Sequence, residues 1–113
     1  MKAIIAFIFI TLTTVAFAQD NKVVQAEFTV EGICNMCKSR IENALKIDEV
    51  RYAKWDKHSK ILKTAFLYPA VTADSLQKRI AAVGHDTENH KAPKDVYKNL
   101  PGCCLYRDGV KTH

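Results

Sequence analysis

An α+β fold in the order β-α-β-β-α-β, closed by a short C-terminal tail, is what the sequence predicts. Three observations carry it. Residues 24–30 alternate apolar and polar side chains with a period of two, the mark of a strand with one buried face. Two later stretches, 35–46 and 72–83, place apolar residues at helical spacing. Between them, two strand-like runs flank the polar turn Lys57-His58-Ser59-Lys60.

The elements follow in order. In the first strand Val24, Ala26, Phe28 and Val30 face inward, and Gln25, Glu27 and Thr29 face out. Gly32 breaks the strand and leaves Cys34 in a loop. The first helix sets Cys37, Ile41, Ala44 and Leu45 on one face; Ser39 and Arg40 carry no strong signal. Residues 50–56 read as the second strand, with Val50, Ala53 and Trp55 inward and Tyr52 competing for the register. Residues 61–68 form the third, rich in aliphatic and aromatic side chains, and Pro69 ends it. Thr72 is an N-cap for the second helix, where Leu76, Ile80 and Val83 recur at i, i+4 and i+7 before the Gly84 stop. A short fourth strand is expected around 86–89. Pro93 then opens a brief helical turn running to Leu100, and Pro101-Gly102 turns the chain into Cys103-Cys104. This order is the split βαβ, or ferredoxin-like, arrangement, in which two helices cover one face of a four-stranded antiparallel sheet.

The 113 residues are enough for one small domain, but part of the 48% hydrophobic content sits at the start of the chain. Lys2 precedes an apolar run over residues 3–15, broken only by threonines, and Ala16-Phe17-Ala18 is a small-x-small site. That is the pattern of a secretory signal peptide over residues 1–18. A spanning anchor needs about 20 apolar residues, so the mature chain is expected not to be membrane-embedded. The expected location is periplasmic or secreted. The rest divides into a domain over 19–90 and a C-terminal extension over 91–113. Loss of Lys2 lowers the formal charge from +5 to +4. Basic residues are interspersed with acids along the chain, which describes a solvated surface and not a nucleic-acid patch.

The chemistry lies in four cysteines, Cys34, Cys37, Cys103 and Cys104. Small disulfide scaffolds spread their cysteines to staple distant loops; these come as two tight pairs, the distribution of ligand or redox chemistry. Two thiols at i and i+3 across a loop-to-helix junction can point to the same side. The helix N-terminus offers unpaired N–H groups and partial positive charge, which favour thiolate over thiol. Two converging thiolates suit a soft, low-coordinate ion such as Cu(I). Zn(II) prefers four ligands, and a hard ion would want oxygens that do not cluster here. Met36 offers a thioether, although a methionine there is more simply packing or solvent-facing. Trp55 and Phe66 read as core, and His58, His90 and His113 as surface. No general base, nucleophile triad or phosphate loop is evident, so the chain is read as a binding protein and not an enzyme.

The segment Val30-Glu31-Gly32-Ile33-Cys34-Asn35-Met36-Cys37, with Arg40-Ile41-Glu42 and Ala44-Leu45 after it, resembles the heavy-metal-associated domain. Copper chaperones, modules of copper-exporting ATPases and the periplasmic mercury-binding protein share that domain. The family motif is GMTCxxC, and its ligands carry over to Cys34 and Cys37. Val83-Gly84-His85-Asp86 resembles the family's segment after the second helix, which lies beside the metal loop. The resemblance implies that His85 is a third ligand, a hydrogen-bond donor to a thiolate, or a bystander. It also implies Cu(I) as cargo, with Hg(II) or Zn(II) as alternatives, and a metal-transporting membrane protein or another metallochaperone as partner. The chain departs from the motif in having one residue, Ile33, between Gly32 and Cys34, and in its tail from Lys91 onward.

Two alternative readings stay open, an exported thiol–disulfide oxidoreductase and a structural or interaction domain whose cysteines merely pair, and so does the role of the tail cysteines. An exported thiol–disulfide oxidoreductase also places CxxC at a helix N-terminus, although Ile33 stands where such proteins have an aromatic residue. Cys103 and Cys104 do not readily pair with each other, because a disulfide between neighbours strains the chain. The tail therefore folds back to join Cys34 and Cys37, forms a second soft-metal site, pairs with one of them as a disulfide, or is a structural turn.

Overall fold

A computed structural model describes residues 20–109 and 111–113. The proposed leader over 1–18 lies outside these residues.

The chain forms β1 (Lys22–Thr29), α1 (Asn35–Ala44), β2 (Val50–Trp55), β3 (Ile61–Tyr68), α2 (Ala73–Ala82) and a short α3 (Lys94–Lys98). Two 3₁₀ turns, Gly102–Cys104 and Tyr106–Asp108, complete the tail. The strands make an antiparallel sheet in the order β1-β3-β2. Register runs from Lys22 opposite Tyr68 to Thr29 opposite Ile61, and from Val50 opposite Phe66 to Trp55 opposite Leu62. The β2 alternation slips at a bulge between Val50 and Tyr52, which leaves Tyr52 exposed and Trp55 inward.

The expected fourth strand shrinks to one bridge, Val30 opposite Thr87. Glu31 N–H donates to Asp86 O and Glu88 N–H to Thr29 O, one on each side of that bridge. The pairing stops there because Thr87 turns back on His90: the Thr87 N–H donates to His90 O at 2.7 Å, and Thr87 Oγ1 receives the His90 N–H. These local bonds consume the groups a longer ladder would need. The sheet is therefore three-stranded, and the fold is α+β as expected.

The helices bury their predicted faces. Cys37, Ile41 and Leu45 from the first helical segment meet Leu76 and Ile80 from α2 over Phe28, Val30, Trp55, Leu62 and Phe66. Thr72 caps α2 through a reciprocal bond with Ser75, a device worth about 1 kcal/mol. Tyr97, Leu100 and Cys104 join the same core. The tail is thus packed on the domain and is not a loose appendage.

Candidate metal site

The metal loop begins at Gly32, over the Trp55 indole. A Cβ at Gly32 would stand 2.9 Å from the Trp55 ring and 3.1 Å from Cys37 Cβ, so only glycine lets these three groups meet. Trp55 is fixed in turn by donating from Nε1 to Val30 O at 2.9 Å. Its backbone N–H donates to the Glu42 carboxylate. Lys38 also binds that carboxylate and donates to Trp55 O, tying α1 to β2.

Cys34 occupies the N-cap of α1 in extended conformation, and Lys38 N–H closes the first helical turn on Cys34 O. Cys37 lies one turn in, which brings the two sulfurs to 3.2 Å. The third sulfur comes from the tail. Cys104 N–H donates to Pro101 O at 2.8 Å, and the resulting 3₁₀ turn sets Cys104 Sγ 3.3 Å from Cys34 Sγ. All three Sγ atoms lie within 4.8 Å of one another, and all three residues are buried. Arg40 follows Cys37 by three residues and so shares its helix face; its Nη1 stands 3.4 Å from Cys104 Sγ.

The tail is held in place by a clasp on the loop after α2. Tyr106 Oη donates to Gly84 O and accepts the Asp86 N–H. The Arg107 guanidinium pairs with the Asp86 carboxylate and donates to Ala92 O. It also lies 4.4 Å from the Tyr97 ring centre, within cation–π range. Residues 111–113 run back along the metal loop: His113 N–H donates to Ile33 O at 2.9 Å, and Lys60 donates to both Gly32 O and Thr112 Oγ1.

The thiols are unequal. Burial works against charge at Cys34, but the Cys37 backbone N–H and the neighbouring thiols outweigh it, bringing Cys34 down to about 7. Burial pushes Cys37 up. It pushes Cys104 up much further, where the adjoining Cys37 also raises it and Arg40 gives partial relief. The cluster therefore carries one ready thiolate and two thiols that yield protons to an incoming cation. Three soft donors around one point suit a trigonal thiophilic ion. With a metal–sulfur bond of about 2.3 Å, such an ion wants sulfurs roughly 4 Å apart, a small expansion of the spacing here.

Among the residues expected at the site, the structure joins Cys34, Cys37 and Cys104 and separates the other two. Cys103 Sγ lies 3.9 Å from Cys104 Sγ but faces Met36 Sδ at 3.4 Å on the surface. His85 is not in the sulfur group. Its ring stacks on Tyr106, 5.5 Å between centres, and its Nδ1 donates to Glu31 O at 2.7 Å. Burial and the nearby Arg40 push it down to about 4, against the opposing Glu31 carbonyl, so it is neutral at pH 7. His85 thus braces the tail against the metal loop. His58 and His113 are exposed, and His90 pairs with Asp74 at the surface. The sequence marks Arg40 only as part of the segment that resembles the heavy-metal-associated domain and by its i+3 spacing from Cys37, and gives it no role at the site.

No family profile matches the chain, and no curated protein sequence does. Solved structures do. A CopZ metallochaperone is 29% identical with a TM-score of 0.54, covering 57% of this chain and 98% of its own. The N-terminal domain of a potential copper-translocating P-type ATPase from Bacillus subtilis, in its Cu(I)-loaded state, is 25% identical with a TM-score of 0.54; the match covers 58% of this chain and 85% of that one. A putative copper-ion-binding protein from Bacillus anthracis str. Ames shares the fold at 24% identity and a TM-score of 0.56, over 61% of this chain and all of that one. The fold of this chain is therefore that of the heavy-metal-associated, copper-chaperone-like domains that its Gly32–Cys37 segment resembles.

Proposed function

We propose that this chain binds Cu(I) through Cys34, Cys37 and Cys104 in the cell envelope, and holds it for sequestration or for transfer to another protein. The observation that carries the reading is the convergence of three buried sulfurs beside the Arg40 guanidinium. A Cu(I) ion with three thiolates has net charge −2, and the partly buried Arg40 supplies a countercharge beside Cys104. Hg(II) suits the same donors, whereas Zn(II) lacks its fourth ligand in this group. Transfer proceeds by ligand exchange, in which a thiolate of the acceptor displaces one cysteine at a time. A metal-transporting membrane protein or a second metallochaperone, like the proteins whose structures resemble this one, is the fitting acceptor. Among the described residues no helix is long and apolar enough to cross a membrane. The apolar run and Ala16-Phe17-Ala18 support cleavage after Ala18 and a periplasmic or secreted product.

Native mass spectrometry of the reduced chain with competing Cu(I), Hg(II) and Zn(II), joined to X-ray absorption at the copper edge, tests the site. The expected result is preferential Cu(I) loading with three sulfur neighbours, lost in C34S and C37S. Wild-type-like copper binding in the C34S/C37S double variant overturns it, as does turnover of a disulfide substrate without copper binding. Envelope-derived protein with the mass of residues 19–113 is expected; retention of residues 1–18 overturns the export reading.

A further inference from the structure

Among the described residues, two sulfurs remain outside the buried cluster. Met36 is 53% exposed on the first turn of α1, and Cys103 is half-buried on the tail. They come from opposite sides of the tail interface, yet Cys103 Sγ points at Met36 Sδ from 3.4 Å. A methionine in this position has no core to fill, and a partly exposed thiol beside it has no disulfide partner. Cys103 Sγ is also 3.9 Å from Cys104 Sγ, which is 3.3 Å from Cys34 Sγ, which is 3.2 Å from Cys37 Sγ. Five sulfurs thus form an unbroken line from the surface to the core. With metal–sulfur bonds of about 2.3 Å, one ion can touch two sulfurs up to roughly 4.6 Å apart. Every step in the line falls inside that reach.

We propose that Met36 and Cys103 form a second, solvent-facing Cu(I) site that loads and unloads the buried cluster. This rests on the Cu(I) reading of the cluster. With the tail docked and Cys104 against Cys34, all three clustered cysteines are buried, so little of their sulfur meets solvent directly. The Met36–Cys103 pair is the accessible edge of the same sulfur array. It sits on the margin of an open groove lined by Met36, Ser39, Arg40 and Asn43. An ion arriving as a Cu(I)–thiolate complex is first held by Cys103 Sγ and the Met36 thioether: the donor Cu–S bond breaks as these bonds form, and the donor leaves as a thiol with the proton that Cys103 gives up. Cys104 then adds to the ion as its thiol proton passes to water. The Cu–Sδ bond to Met36 breaks, Cu–Sγ bonds to Cys34 and Cys37 form with loss of the Cys37 proton, and the bond to Cys103 breaks as Cys103 takes up a proton from water. Copper remains Cu(I) throughout. The thioether carries no charge and no proton, which makes it a weak ligand suited to a transient stop.

The test uses the reduced full-length chain, with Cu(I)–glutathione as donor under anaerobic conditions. Stopped-flow loading should slow about tenfold or more in M36L and in C103S, while their equilibrium affinity by chelator competition stays within about threefold of wild type. In selenomethionine-labelled protein given a second equivalent of Cu(I), selenium-edge X-ray absorption should show a copper neighbour. That signal should vanish in M36L, whose remaining methionine is Met1. Unchanged loading rates in both variants, or no selenium–copper neighbour at any loading, overturns the port. Wild-type protein that binds no Cu(I), or a C34S variant that binds it with undiminished affinity, overturns the cluster reading instead. A C103S variant that also loses sulfur coordination in the first equivalent makes Cys103 a ligand of the buried site, and overturns the port as well.

Discussion

Leu100 occupies the space where a side chain on residue 84 would be. A Cβ at Gly84 would come within 2.8 Å of Leu100 Cδ2, and Gly84 has φ = +113°, a conformation that side chains resist. The helix stop and the seat of the tail are therefore the same residue. Gly84→Ala should destabilise the fold by about 1–3 kcal/mol through strain and lost packing. Thermal melting should fall by several degrees for each kcal/mol. Because Leu100 leads directly into the turn bearing Cys104, the variant should also bind copper with fewer sulfurs by X-ray absorption.

Copper affinity should depend steeply on pH, and the sign follows from the thiols. Cys37 and Cys104 are held above their ordinary range, so above pH 7 each still carries a proton that the metal must displace. Cys34 is already ionised above about 7 and adds a proton only below it. Chelator competition from pH 7 to 8.5 should therefore show affinity rising by about two decades per unit. C104S should lower the slope by about one decade per unit and leave two sulfur neighbours. A slope unchanged by C104S means that Cys104 gives up no proton to the ion.

Arg40→Gln removes the guanidinium beside Cys104 Sγ. Hydrogen bonds to charged groups are worth about 1.5–3 kcal/mol, so Cu(I) affinity should fall by roughly tenfold or more with the coordination number preserved. Equal affinity in R40Q and wild type would show that solvent supplies the countercharge.

The sequence carried most of the scaffold and part of the site, for physical reasons that differ by residue. The β1 alternation, the α2 face and the Thr72 cap are local patterns, and each is where its period places it. The fourth strand failed because Thr87 and His90 satisfy each other in a tight turn, a choice that alternation does not encode. Cys34 and Cys37 were legible because i and i+3 across a helix start is itself a geometry. Which tail cysteine turns inward was not legible, since it depends on Pro101, Leu100 and Tyr106 docking against a loop 20 residues earlier in the chain. His85 was placed beside the metal loop by resemblance; its ring is there, braced between Glu31 O and Tyr106, with its Nε2 buried and without a partner.

That buried neutral imidazole makes the fold acid-sensitive. The unfolded chain takes up a proton near pH 6.5, while the folded chain resists it down to about 4. Stability is therefore complete above 6.5 and is lost as pH falls from 6.5 towards 4, by up to about 3 kcal/mol. The Asp86 carboxylate, held low although burial opposes it, because it pairs with Arg107, should contribute a further loss below its ordinary range. Urea unfolding from pH 7.5 to 4 should show the first slope in wild type and a flatter one in His85→Phe. Equal slopes in both would assign the acid loss elsewhere.

The His113 amide that donates to Ile33 O, with Lys57 on the His113 carbonyl, has a practical corollary. Whatever is fused after His113 begins within one residue's length of the backbone that presents Cys34. A polyhistidine tag placed there would set a row of imidazoles beside the thiols, ready to compete for the same cargo and to pull the last residues off the loop. Purification handles belong between Ala18 and β1, whose first residue, Lys22, pairs with Tyr68 at the end of the strand away from Thr29 and the metal loop. Amide exchange at His113 then becomes a direct readout of whether the strap is seated when copper arrives.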